Sequence, residues 1–133
     1  MSVFFDTNVL VYGQLKGLKA DRARTLLGAG GLVSVQVLNE FVSVLSKKLR
    51  LPWPDIEAAR RDVLDVLDPP LALTLETNSS ALALARDHHL NFYDALILAS
   101  ASAAKCVTLY TEDMQHDRVF GGLRIVNPFM RDQ

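Results

Sequence analysis

Short apolar runs alternate with helical spacings along this chain. Val3-Phe4-Phe5 is an apolar run that ends at Asp6 and predicts a buried strand. From Val35 to Arg50, apolar residues recur at the three- and four-residue spacing of one helical face. Further strands are predicted at residues 32–34, 71–74, 107–110 and 123–126, and further helices at residues 19–29, 55–67, 77–88 and 92–105. This alternation predicts an α/β fold with a mainly parallel, five-stranded central sheet flanked by helices.

Composition narrows the class of protein. The chain has 133 residues, of which 50% are apolar and 22% charged, which predicts a single globular domain over residues 1–133. Its 14 basic and 15 acidic residues give a net charge of −1, so nucleic-acid binding would need local basic patches or metal ions. The single cysteine, Cys106, excludes an intrachain disulfide and favours a reducing, cytoplasmic setting. We also expect no signal peptide and no membrane span, because no apolar stretch is long enough.

Two acids follow predicted strands. Asp6 comes directly after the first strand, and Asp113 lies three residues past the strand at 107–110. In parallel sheets, ligands bind at the carboxyl ends of the strands, so both acids are candidate site residues. The alternative for Asp6 is a helix cap, because Asp, Thr and Asn are all favoured there. The alternative for Asp113 is an ordinary turn.

Two more acids lie on predicted helices. Glu40 lies between apolar residues on its helix, where a lone Glu usually reaches solvent along the edge of the apolar face. Asp94 opens an Ala- and Leu-rich helix, where the helix dipole alone favours an acid. Four carboxylates at one edge would repel one another and raise their pKa values unless a cation neutralises them. A set of oxygen ligands without paired Cys or His favours Mg²⁺ or Mn²⁺ over Zn²⁺.

Four short motifs carry a resemblance to a known family. They are Phe5-Asp6-Thr7-Asn8-Val9-Leu10, Asn39-Glu40-Phe41, Tyr93-Asp94-Ala95-Leu96-Ile97 and Thr111-Glu112-Asp113-Met114. In order and spacing they resemble the PIN-domain ribonucleases, specifically the VapC-type toxins of bacterial toxin–antitoxin pairs. The resemblance covers nearly the whole chain. It implies a PIN-like three-layer fold and a Mg²⁺- or Mn²⁺-dependent endoribonuclease that hydrolyses RNA phosphodiester bonds with one or two ions.

The resemblance also implies roles for individual residues. The metal-binding and catalytic acids would be Asp6, Glu40, Asp94 and Asp113. Asn8 and Thr111 would be supporting polar residues. Many relatives have a further Asp two residues after the position of Asp113, but Gln115 stands there in this chain, and Asp117 is the candidate substitute. A small VapB-like antitoxin and a homodimer are further implied.

Basic residues near the acids are candidates for binding the RNA backbone. They are Lys47, Lys48 and Arg50 at the end of the Glu40 helix, and Arg118 close to Asp113. For any single one of the four, a solvated position such as a helix end favoured by the dipole is the simpler interpretation.

Two other functions compete with the ribonuclease. A haloacid-dehalogenase-like phosphatase would need a second Asp where this chain has Asn8, so we set it aside. The alternative from a different class is a non-catalytic PIN-like module that binds RNA or protein. All four acids being present argues against it, since carboxylates hinder the binding of a polyanion.

Overall fold

The computed structural model describes residues 2–130. Four strands and six helices lie in this part of the chain. In chain order they are β1 (Val3–Phe5), α1 (Thr7–Tyr12), α2 (Leu18–Gly28), α3 (Val35–Lys47), α4 (Trp53–Val66), α5 (Leu75–His88), α6 (Phe92–Ala103), β2 (Thr108–Tyr110), β3 (Val119–Phe120) and β4 (Leu123–Val126). The predicted α/β class is confirmed, and each predicted helix is present within a few residues of its expected bounds.

The sheet has the order β1-β2-β4-β3. Strands β1, β2 and β4 are parallel, and β3 pairs with β4 in the antiparallel direction. The pairing of β1 with β2 aligns Phe5 with Tyr110, so the residues that follow these two strands leave the sheet at the same edge. This register places Asp6 and the turn after β2 side by side.

The prediction of five strands was wrong in a specific way. The segments at 32–34 and 71–74 make only isolated parallel bridges, Phe4 with Leu32 and Ser34 with Leu71. Each segment is diverted at once into a helix, because the Ser34 side chain caps α3 and the Thr74 side chain caps α5. The two segments therefore extend the β1 edge of the sheet without becoming regular strands.

Strand β3 was missed by the prediction although its signal is in the sequence. Val119–Phe120 is joined to β4 by the two-residue loop Gly121-Gly122, and Gly121 has a φ of 58°. A Gly-Gly pair flanked by apolar residues, here Phe120 and Leu123, is typical of a tight hairpin, since glycine accepts a positive φ without strain. The hairpin closes the far edge of the sheet.

One large apolar core joins the sheet to the helices. Phe4 and Phe5 of β1, Phe41 of α3, Ile97 of α6 and Leu109 of β2 are all fully buried in it. A smaller buried cluster of Ala81, Ala95, Leu96 and Ala99 joins α5 to α6. Because α3 and α6 are anchored in the large core, Glu40 and Asp94 are held at fixed positions relative to the strand ends. No helix within residues 2–130 is long and apolar enough to cross a membrane.

Candidate active site

Asp6 stands where β1 turns into α1, and it is 3% exposed. Its Oδ1 accepts a hydrogen bond of 2.7 Å from the backbone N–H of Thr7, so Asp6 is the N-cap of α1. Its Oδ2 accepts one of 2.7 Å from the Thr111 hydroxyl. Asp6 is therefore a helix cap, as one interpretation of the sequence predicted, and its second carboxylate oxygen also contacts the turn that carries Asp113.

Asn8 ties the turn after β2 to α1. Its Nδ2 donates to Oδ2 of Asp113 at 3.2 Å and to Oγ1 of Thr111 at 3.3 Å. Its Oδ1 accepts from the backbone N–H of Glu112 at 3.1 Å. The amide of Asn8 thus contacts three consecutive residues of the turn that carries Asp113. Thr111, which is fully buried, also accepts from the backbone N–H of Asp113 at 3.1 Å.

Glu40 faces this turn from α3, and both of its carboxylate oxygens have a donor. Oε1 accepts from the Thr7 hydroxyl at 3.1 Å, and Oε2 accepts from Nε2 of Gln36 at 2.9 Å. Sequence reasoning missed Thr7 and Gln36. Gln36 precedes Glu40 by one helical turn, and that spacing was a usable signal, whereas the Thr7 contact spans 33 residues and had none.

A cleft of about 540 Å³ opens over these residues, and we call it the acidic cleft. Glu40, Asp94 and Asp113 supply its charge. Its other lining residues are uncharged, namely Gln36, Asn39, Ser43, Asn91 and Tyr93. Asp94 is partly buried on the first turn of α6, next to the N-cap Asn91. Asp6 is buried outside the cleft lining, in contact with Thr111 and within reach of the charges of Glu40 and Asp113.

Burial and neighbouring charges raise the pKa values of Asp6 and Asp94. Burial is the main cause that raises the pKa of Asp6 from 3.8 to about 7, and repulsion by Glu40 and Asp113 adds to it. The hydrogen bonds from Thr111 and from the Thr7 backbone lower it in part. The pKa of Asp94 is also raised, first by burial and then by the charges of Asp113 and Glu40. The charges of Glu40 and Asp113 therefore act on both Asp6 and Asp94.

The donor set fits a hard divalent cation. It consists of carboxylate, amide and hydroxyl oxygens, which Mg²⁺ and Mn²⁺ prefer. Within residues 2–130, no three of the Asp, Glu, His and Cys side chains converge into a ready-made metal-ligand group. Glu40, Asp94 and Asp113 instead line the cleft from α3, from α6 and from the turn after β2.

The remaining candidate residues from the sequence are Asp117 and four basic residues, and none of them lines the acidic cleft. Arg118 lines a smaller pocket that shares Asn91, Asp94 and Asp113 with it. The Asp117 carboxylate instead approaches Nη1 of Arg124 at 3.6 Å and Nε2 of His116 at 3.4 Å. Three of the predicted basic residues are exposed at the far end of α3 and line neither cavity, namely Lys47, Lys48 and Arg50.

Comparison with known proteins decides the family. The family model described as the PIN domain matches residues 3–121, which is most of the chain. The chain belongs to the PIN domain family. No curated protein matches it significantly in sequence.

Several solved structures of other proteins have a fold similar to that of this PIN protein, and some of them come from toxin–antitoxin systems. A toxin–antitoxin complex from Klebsiella pneumoniae aligns with a TM-score of 0.72 and 23% identity, over 96% of this chain and 98% of the other. VapC20 of Mycobacterium tuberculosis, described as a toxin that cleaves the sarcin-ricin loop, aligns with a TM-score of 0.70 and 20% identity, over 84% and 90%. VapBC2 of Rickettsia felis, bound to a DNA fragment from its promoter, aligns with a TM-score of 0.70 and 18% identity, over 94% and 97%. At these identities the likeness establishes the fold.

Proposed function

We propose that this PIN protein is a Mg²⁺- or Mn²⁺-dependent endoribonuclease and the toxin of a VapBC-type toxin–antitoxin pair. The observation that carries the proposal is the buried carboxylate of Asp6, whose pKa is raised to about 7 by burial and by the charges of Glu40 and Asp113, two of the three acids that line the cleft. Burying one carboxylate and surrounding it with others destabilises a fold. Such an arrangement is typical of a functional site that binds a cation.

Asp6, Asp94 and Asp113 would hold the principal ion. Each carboxylate oxygen has more than one lone pair, so the hydrogen bonds that Asp6 accepts leave room for a cation. When bound, a divalent ion acidifies water and stabilises the charge that develops on the phosphate during hydrolysis.

Glu40 would orient the attacking water or bind a second ion. Its two oxygens are held by Thr7 and Gln36, so the carboxylate has a defined orientation at the cleft wall. Asn8 would keep Asp113 in position through the bonds that it makes to the turn after β2. Thr111 would orient Asp6 through its hydroxyl. The supporting role predicted for Asp117 stays a prediction, with its carboxylate now placed beside Arg124.

A VapB-like antitoxin and a homodimer belong to the same proposal. Support for the antitoxin comes from two structures of similar fold, the toxin–antitoxin complex from Klebsiella pneumoniae and VapBC2 from Rickettsia felis. Trp53 opens α4 with 61% of its surface exposed, and it is the first residue to substitute if sedimentation shows a dimer. A cytoplasmic location is proposed because the one thiol, Cys106, is free and buried.

The decisive experiment is RNA cleavage by purified protein in Mg²⁺, Mn²⁺ or EDTA. We expect structured RNAs to be cut only with metal, and Asp6→Asn and Asp94→Asn to abolish cutting. Asp21→Asn is the matched control, because it removes an exposed carboxylate that pairs with Arg24 on α2. Cleavage that persists in EDTA or in both site variants would refute the metal–carboxylate mechanism. If metal-loaded wild type cuts no RNA at all, the non-catalytic module becomes the better interpretation.

A further inference from the structure

The pocket beside the acidic cleft contains an arginine that the proposed mechanism does not use. This side pocket of about 240 Å³ is reached across Asn91, Asp94 and Asp113, which line both cavities. Arg118 lies on its wall together with Phe120 of β3. The two cavities therefore form one continuous track with the acids in the middle.

Arg118 is held in place while most of its donors remain available. Its guanidinium carbon lies 4.5 Å from the centre of the Phe120 ring, and Nη2 contacts Nδ1 of His88 at 3.3 Å. Within residues 2–130 no carboxylate lies in salt-bridge range of it, in contrast to Arg24, Arg86 and Arg124. A guanidinium has five N–H donors in a planar fork that matches two oxygens of a phosphate. Stacking on a ring leaves that fork open at its edge.

The opposite side of the acids presents an aromatic ring. Tyr93 lines the acidic cleft and is 59% exposed, although large aromatic side chains are usually buried in a core. Phe92 braces it edge-on, with ring centres 6.0 Å apart. The neighbouring cleft residues Asn39, Ser43 and Asn91 carry uncharged donors and acceptors. A braced, exposed ring beside amides offers a nucleobase a face on which to stack and groups that can contact its edge.

Resting on the proposed ribonuclease function, we propose two contacts with the RNA substrate: a base stacks on Tyr93 at the acidic cleft, and a backbone phosphate is bound by Arg118 in the side pocket. Stacking on Tyr93 requires a base whose face is free, and the bases of a duplex are covered by their neighbours. In the side pocket, the positive charge of Arg118 would offset the repulsion between the RNA phosphates and the carboxylates of Asp94 and Asp113.

Binding can be measured apart from cleavage. We would titrate fluorescein-labelled single-stranded U12 and A12, and a 12-base-pair RNA duplex, with the Asp94→Asn protein and follow fluorescence anisotropy at several salt concentrations. The expected result is that both single strands bind at least tenfold more tightly than the duplex. Tyr93→Leu should weaken single-strand binding by about tenfold or more, and Tyr93→Phe should retain it, because stacking needs the ring and not the hydroxyl.

Arg118 has a matched control in Arg124, which is exposed on β4 and pairs with Asp117. Arg118→Gln should reduce the slope of log Kd against log salt by about 0.7, the value for one phosphate of a single strand, and Arg124→Gln should not. Arg118→Lys should restore most of the slope because it keeps the charge. If Arg118 served only to hold β3 against His88, its substitution would lower the melting temperature and leave the slope unchanged, which would overturn the proposal.

The outcomes separate this inference from the nuclease itself. If wild type cuts RNA and the KM is the same for wild type, Tyr93→Leu and Arg118→Gln, the track is refuted while the nuclease stands. Equal or tighter binding of the duplex, or displacement of RNA by a poly-glutamate peptide at similar concentration, would also refute it. If wild type neither binds nor cuts any of these RNAs, both proposals fail together.

Discussion

The Thr111 hydroxyl donates a 2.7 Å hydrogen bond to the Asp6 carboxylate, and so joins the ends of two neighbouring strands across 105 residues of sequence. The same hydroxyl oxygen accepts from Asn8 and from the backbone of Asp113. One buried oxygen atom therefore connects α1, β1 and the turn after β2. Removing it affects both the stability of the fold and the protonation of Asp6.

We expect Thr111→Val to lower the free energy of unfolding by about 1–3 kcal/mol, because it leaves buried polar groups without a partner. The pKa of Asp6 should rise further, since the bond from Thr111 lowers it in the wild type. The metal dependence of cleavage should accordingly shift to higher pH. Urea denaturation and a pH–rate profile check both effects. Thr111→Ser keeps the hydroxyl, and its free energy of unfolding should stay within about 1 kcal/mol of wild type. If both variants lose the same stability, the missing hydroxyl does not explain the loss.

The raised pKa of Asp6 makes the metal-free protein less stable at high pH. The folded protein binds the proton of the Asp6 carboxyl more tightly than the unfolded chain does. The stabilisation that this protonation gives is fully present below pH 4 and is lost as pH rises through about 7. A difference of this size corresponds to a loss on the order of 4 kcal/mol. In EDTA at pH 8, Asp6→Asn should therefore be more stable than wild type, and the advantage should fall to less than half near pH 5. Urea titrations at both pH values test this; an advantage that is the same at both would contradict it.

Divalent metal should reverse that loss. At a Mg²⁺ concentration of about 100 times Kd, binding stabilises the folded state by roughly 2.7 kcal/mol, which raises the melting temperature of a chain of this size by about 10 °C. The shift should be larger at pH 8 than at pH 5, because protons compete for the carboxylates. Thermal scans at constant ionic strength measure it. Asp94→Asn should reduce the shift strongly and Asp21→Asn should not; equal shifts in the two variants would place the ion elsewhere.

Gly31 is expected to be intolerant of a side chain, because it supports the strand that ends at Asp6. An added Cβ would lie 2.6 Å from Cε2 of Phe5 and 2.9 Å from Cγ2 of Val3, and its φ of 152° is rare for other residues. Gly31→Ala should lower the free energy of unfolding by about 2–5 kcal/mol, combining overpacking with backbone strain. Gly30→Ala is the matched control.

Gly30 also has a positive φ, of 90°, but there is nothing within 4 Å of its added Cβ. Gly30→Ala should therefore lower the free energy of unfolding only through backbone strain, by about 1–3 kcal/mol. Equal losses in the two variants, measured by chemical denaturation, would show that the contact with Phe5 does not matter.

Local sequence patterns predicted the strand before Asp6 and the helices that carry Glu40 and Asp94, because apolar spacing directly reflects which face is buried. They failed at residues 32–34 and 71–74, where an apolar run of strand length ends in a helix cap at Ser34 or Thr74. They also could not show that Glu40 bonds to Thr7 or that Asn8 reaches Asp113. Those contacts depend on how distant segments pack, and no local periodicity encodes them.

The parallel pairing of β1 with β2 brings the two halves of the candidate site together from opposite ends of the sequence. During synthesis, Asp6, Glu40 and Asp94 are all made before the turn that carries Thr111 and Asp113, so a growing chain has the acids without their arrangement. Premature termination or proteolysis before β2 would release a fragment with three of the four acids and no partner for β1. The topology thus delays assembly of the candidate site until translation has passed Asp113, so a partly made chain would lack the complete site that the proposed nuclease needs.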